Sequence, residues 1–187
     1  MLIHISGPPG AGKSTLGKYF SDNFDVKVID IDDIYMKLLQ KLEKDKNVTE
    51  NDIKNNLSQY IQNEFDKIIK KHDKLILVGL NFPDPHVEFR GKMLGVKPFK
   101  IEFPTKHKYF IIIEDDILNR QLLKRELQWI LEDEKYFEEY YGEAKKKKKL
   151  IIPLEGDNKF WKMMYKKEKD YKFYDKEKIK KSIKKLL

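Results

Sequence analysis

Near the N-terminus, Gly7-Pro8-Pro9-Gly10-Ala11-Gly12-Lys13-Ser14-Thr15 carries the spacing G-x-x-x-x-G-K-[ST] with nothing out of place. Each residue type has a chemical reason to be there. Glycines let the backbone curl until successive N–H groups point inward, a geometry that wraps phosphate oxygens. Lys13 supplies an ammonium to the β- and γ-phosphates of a nucleoside triphosphate, and the Ser14 hydroxyl can ligate Mg²⁺. The pattern predicts that ATP and Mg²⁺ are held by Gly7, Pro8, Pro9, Gly10, Ala11, Gly12, Lys13, Ser14 and Thr15. Such a loop needs a strand before it and a helix after it, so that the helix N-terminus and its partial positive charge face the same anion.

The flanking pattern meets that need. Leu2–Ser6 reads as a buried strand, and 13–24 as a helix with Leu16, Tyr19 and Phe20 on one side. A second strand is predicted over 26–31. A helix over 33–44 follows, with Asp33 capping it, and then a longer helix N-capped by Thr49. The branched run at 74–80 predicts a third strand covered on both faces. The stretch 81–108, with Pro83, Pro85, Pro98 and Pro104, has no regular pattern, and connections of this length usually serve function. Tyr109–Ile113 predicts a fourth strand. Asp115 or Asp116 opens a helix that carries Leu118, Leu122, Trp129 and Leu131. A basic run at Lys145–Lys149 precedes the apolar Leu150–Leu154, and a helix opens at Asp157. A strand at Tyr171–Tyr174 and a helix over 175–187 end the chain. Strands alternating with helices predict an α/β three-layer sandwich on a parallel sheet.

Asp30 and Asp32 stand two apart in Val28-Ile29-Asp30-Ile31-Asp32-Asp33, so a strand continuing through them points both to one face at its carboxyl end. That end is where open α/β sheets bind ligands. The third strand ends without an aspartate, which argues against ATPases that need a carboxylate there to position metal and water; Asp84 lies out in the following loop. Only three of the 39 basic residues are arginine, namely Arg90, Arg120 and Arg125. In a chain whose default cation is lysine, each arginine is a candidate for bidentate anion binding.

The phosphate loop near the N-terminus, the acidic end of the second strand and the arginines after the fourth strand resemble the nucleoside monophosphate kinase-like group, which includes adenylate, shikimate and gluconate kinases. The resemblance implies a P-loop NTPase fold with a five-stranded parallel sheet, ATP with Mg²⁺, and a mobile lid. It further implies one domain over 1–187, with acceptor-site insertions at about 33–72 and 81–108 and a lid at about 115–155. By that resemblance Asp30 supports the metal and Asp32 meets the acceptor as general base, with helix capping as the alternative for both. Arg120 and Arg125 would neutralise the transferring phosphate; five apart on a helix, they do not share a face, and Arg125 can equally pair with Glu126 or Glu132 on the surface. Arg90, near Asp84 and His86, would hold an anionic group of the acceptor, or stand exposed in its loop. Tyr171, Phe173 and Tyr174 either pack in the core or stack on a base.

The net charge of +8 invites a nucleic-acid reading. However, lysine, isoleucine and asparagine crowd a chain whose only alanines are Ala11 and Ala144, which is what AT-rich coding produces. With no cysteine, disulfides and thiolate catalysis are excluded. Met1–Ile5 breaks at once into Gly and Pro, and no apolar run is long enough for a bilayer, so the chain is expected to be cytoplasmic and to have no membrane partner. These observations predict a phosphotransferase moving phosphate from ATP to a small-molecule acceptor. Two alternatives stay open: a kinase of nucleic-acid 5′ ends, and a nucleotide-dependent interaction module with slow ATPase activity.

Overall fold

The computed structural model of the chain describes residues 1–132, 138, 142, 158–168 and 170–187. The lysines at 145–149, the apolar stretch 150–154, Asp157 and much of the expected lid lie outside these described residues.

β1 (Leu2–Ser6) leads into the phosphate loop and α1 (Lys13–Asn23). β2 (Lys27–Asp30) passes with no intervening loop into α2 (Ile31–Lys44), and α3 (Glu50–Lys71) follows. Thr49 caps α3 as its sequence predicts. Its hydroxyl accepts the Asp52 N–H while the Asp52 carboxylate accepts the Thr49 N–H, a reciprocal capping box. Ile53, Leu57, Ile61 and Phe65 recur every four residues and are buried as one stripe.

β3 (Leu75–Val78) is buried at every position. The expected irregular stretch then contains a hairpin, β4 (His86–Phe89) with β5 (Lys92–Gly95), paired antiparallel. Its two-residue turn, Arg90-Gly91, has φ of 50° and 73°, the left-handed pair that matches the twist of the flanking strands. β6 (Lys108–Ile111), α4 (Asp115–Glu132), α5 (Asn158–Lys166), β7 (Tyr171–Tyr174) and α6 (Lys176–Lys184) complete the described chain.

Five strands form one parallel sheet in the order β2-β3-β1-β6-β7. Alternate residues of a strand face opposite sides, and here each side has its own core. Leu75 and Leu77 pack with α2, α3 and the hairpin, whereas Ile76 and Val78 pack with Ile3, Ile5 and the buried faces of α1, α4 and α6. Phe110, Tyr165 and Tyr171 form a third cluster beneath α5. The result is a three-layer α/β sandwich with the P-loop NTPase arrangement of strand, phosphate loop and helix. No helix among the described residues is long and apolar enough to cross a membrane.

Candidate active site

The phosphate loop lies at the carboxyl end of the sheet's central strand, β1. Gly10 and Gly12 take φ of 76° and 81°, the left-handed backbone that the curl of this loop requires. Gly12 is also the N-cap of α1, with no side-chain cap and no acidic residue in the first turn. The first N–H groups of α1 therefore have no side-chain acceptor, and the turn is free to receive an anion. The Lys13 ammonium donates to the Gly7 and Pro8 carbonyls at 3.0 Å each, folding back across the loop. Burial lowers its pKa from 10.5 to about 8, and Arg125 adds to the lowering while Asp32 and Asp30 oppose it.

The second cluster comes from the β2–α2 junction. The Ser14 hydroxyl donates to Asp30 Oδ2 at 2.9 Å. Asp30 Oδ1 accepts the Asp32 N–H at 3.1 Å, so Asp30, and not Asp33, caps α2. The reason is Ile31: the strand hands over directly to a helix whose first residue is 1% exposed, leaving no room for a loop or a later cap. Asp32 accordingly stands in the first turn of α2 and not on a continuing strand. Lost hydration and then the Asp30 carboxylate push the Asp32 carboxyl upward, against the pull of Lys13. As a whole residue Asp32 is exposed, but it opens into a concavity whose walls exclude part of its water.

That concavity, about 390 Å³, is lined by Pro9, Gly10, Gly12, Lys13, Ser14, Thr15, Asp30, Asp32, Leu80, Gln121 and Arg125. α4 packs closely over the loop, since a Cβ on Gly10 would stand 2.7 Å from Leu122 Cδ2. This seat brings Gln121 and Arg125, four residues apart, to the cavity. Arg120 is turned away to an ion pair with Asp116 at 2.7 Å on an exposed surface. Arg90 is placed elsewhere: its Nε and Nη2 donate to the carbonyls of Glu43 and Asp45 at the end of α2, and its ring neighbour is Phe89. His86 pairs with Asp84, both exposed.

Gln121 follows from helical spacing once Arg125 is taken as a cavity residue. Leu80 has no comparable signal, and Tyr35 is not part of the lining. The Tyr35 hydroxyl is buried without a hydrogen-bond partner, and burial followed by Asp84 pushes its pKa up to about 12. Under the cavity floor, His4 is wholly buried in β1. Its Nε2–H donates to the Gly79 carbonyl at 3.1 Å, which leaves Nδ1 to accept from the Tyr171 hydroxyl at 2.5 Å. Tyr171 is thus a core residue; Tyr174 lies against Tyr109 beneath the Lys178 ammonium.

Among the described residues no group of three or more His, Cys, Asp or Glu could hold a metal by itself. The Ser14–Asp30 pair nonetheless offers hard oxygen donors of the kind Mg²⁺ takes, and that ion commonly keeps several waters and uses few protein ligands. The donor set fits it.

No protein-family model matches the chain. Over 56 residues it is 45% identical to the cytidylate kinase of Sulfurisphaera tokodaii, a stretch amounting to 27% of this chain and 31% of that protein. The chain resembles the nucleoside monophosphate kinase-like group of P-loop kinases. The matched segment spans under a third of its curated relative. Among solved structures, the shikimate kinase from Bacteroides thetaiotaomicron aligns over 66% of this kinase-like chain and 63% of its own, at 19% identity and a TM-score of 0.37.

Proposed function

We propose that this kinase-like domain transfers the terminal phosphoryl group of ATP to a hydroxyl of a small-molecule acceptor. The observation that carries the reading is the convergence of four chemistries on one cavity: an anion-receptive loop and helix end, the Lys13 ammonium, the Ser14–Asp30 oxygen pair, and Asp32 with Arg125. On this reading the N–H groups of Gly10 to Thr15 bind the phosphate chain, and Lys13 exchanges the two loop carbonyls for phosphate oxygens. Ser14 and Asp30 would hold Mg²⁺, which when bound offsets charge on the phosphates. Asp32, whose carboxyl lost hydration and then the Asp30 carboxylate push above the ordinary carboxylate range, accepts the proton of the acceptor hydroxyl. Arg125 faces the charge that develops during transfer.

The test is transfer of labelled phosphate from ATP to a panel of nucleosides, nucleoside monophosphates, hydroxylated metabolites and oligonucleotides with a 5′-hydroxyl. Wild-type protein labels a small molecule, Lys13→Met labels nothing, and Asp32→Asn loses most of the rate while still binding ATP. Labelling of the oligonucleotide alone would move the assignment to a nucleic-acid end kinase. ATP hydrolysis without any labelled acceptor would move it to an interaction module.

A further inference from the structure

We propose that Lys176 is a second phosphate-binding cation of the nucleotide site, reaching the loop from the last helix. The proposal rests on the ATP reading above and adds a residue that the loop pattern does not contain. Lys176 is the first residue of α6, immediately after β7 and its cap Asp175. β7 runs parallel to β6, and β6 to β1, so the start of α6 emerges at the same sheet end as the phosphate loop. The Lys176 ammonium stands 3.1 Å from where a Cβ on Gly12 would be. Gly12 therefore does two things: its left-handed backbone turns the loop, and its missing side chain leaves the space that this ammonium fills.

What the ammonium lacks is as informative as where it stands. Lys176 is half-buried, yet it makes no hydrogen bond or ion pair with any described residue. Its neighbours on α6 are engaged: Lys178 over the Tyr174 ring at 4.1 Å, Lys180 with Glu177 at 2.7 Å, and Lys184 over the Tyr19 ring at 5.5 Å. This unpaired cation stands beside Gly12, at the positive end of α1. A phosphate chain lying along Gly12 would supply the acceptor it lacks. The ligand class is a nucleoside di- or triphosphate, with the phosphates as the recognised part. The arrangement also fits a chain poor in arginine, in which lysines must do the work of charge neutralisation.

Equilibrium binding of ATP, ADP and adenosine by wild-type, Lys176→Met, Lys176→Arg and Lys13→Met proteins tests this. Lys176→Met should weaken ATP and ADP by about tenfold, the worth of one charge-assisted contact, and leave adenosine binding unchanged. Lys176→Arg should recover most of the loss. Melting temperature should not fall, since the ammonium makes no hydrogen bond or ion pair in the free protein. Wild-type ATP affinity in Lys176→Met, or an equal loss for adenosine, overturns the assignment while Lys13→Met still reports on the loop. If wild-type protein binds no triphosphate and Lys13→Met changes nothing, the kinase reading falls and takes this proposal with it.

Discussion

Ser14 donates its hydroxyl hydrogen to Asp30 across 2.9 Å, joining the first turn of α1 to the last residue of β2. The other oxygen of that carboxylate accepts the Asp32 N–H and so starts α2. One side chain thereby fixes the distance between the phosphate loop and Asp32, the residue assigned to the acceptor. A carboxylate in a helix cap keeps a lone pair for a metal, because the cap uses one oxygen and one direction only.

The two duties of Asp30 separate by substitution. Asn caps a helix about as well as Asp but brings no charge to a metal. Asp30→Asn should therefore melt like the wild type while needing several-fold more Mg²⁺ for half-maximal phosphotransfer. Asp30→Ala should lose the metal support and in addition about 1 kcal/mol of stability. Equal Mg²⁺ dependence in Asp30→Asn and wild type would remove Asp30 from the metal site.

Arg125 and Arg120 lie on one helix but face different surroundings. Arg125 lines the cavity and bears on the Lys13 ammonium, whereas Arg120 is 77% exposed in a surface pair with Asp116. Arg125→Ala should lower kcat by about a hundredfold, as removing a charge-stabilising donor does. Arg120→Ala should change activity and stability little, since exposed pairs are worth at most about 1 kcal/mol. A large loss in Arg120→Ala with none in Arg125→Ala would reverse this assignment.

Arg90 makes its contacts with the end of α2 and is not part of the lining of the Lys13 cavity. Its guanidinium satisfies the carbonyls of Glu43 and Asp45, groups that a helix end leaves without partners. Arg90→Ala keeps the same left-handed backbone with the same Cβ penalty, so its effect reports the lost fork together with its seat on the Phe89 ring. The expected result is a loss of roughly 1–2 kcal/mol in chemical denaturation, with acceptor KM unchanged. A raised KM at unchanged stability would return Arg90 to the acceptor wall.

The sequence shows the loop, the Thr49 cap, the strand at Tyr171–Tyr174 and the last helix because each depends on neighbouring residues alone. It misplaces the end of β2 because Ile29 and Ile31 alternate as a strand would, and only the tertiary burial of Ile31 makes it a helix start. The hairpin is hidden by the prolines around it, although Arg90-Gly91 between the buried pair Phe89 and Val87 on one side and Leu94 on the other is a turn signal. Lys176 is invisible for a different reason. Among so many lysines no residue type marks it, and its position beside Gly12 depends on strand order across the sheet.

His4 gives the molecule a pH dependence of known sign. It is wholly buried, and that burial lowers its pKa from 6.5 to about 3, with the Lys108 and Lys13 charges assisting and the Gly79 hydrogen bond opposing. A group whose folded pKa lies below its unfolded value binds protons more readily in the unfolded chain. Its contribution is therefore complete above about pH 6.5 and is lost progressively as the pH falls toward 3. At about 1.4 kcal/mol per pH unit, stability attributable to His4 should drop by roughly 2–3 kcal/mol between pH 6.5 and 4.5. Protonation also puts a hydrogen on Nδ1, so the Tyr171 hydroxyl that now donates there must turn and accept. His4→Asn should be less stable than wild type at pH 7 and should lose less on acidification. Subtracting the two denaturation curves removes the carboxylate titrations that both proteins share. Curves that stay parallel from pH 7 to 4.5 would show that His4 is not held neutral in the fold.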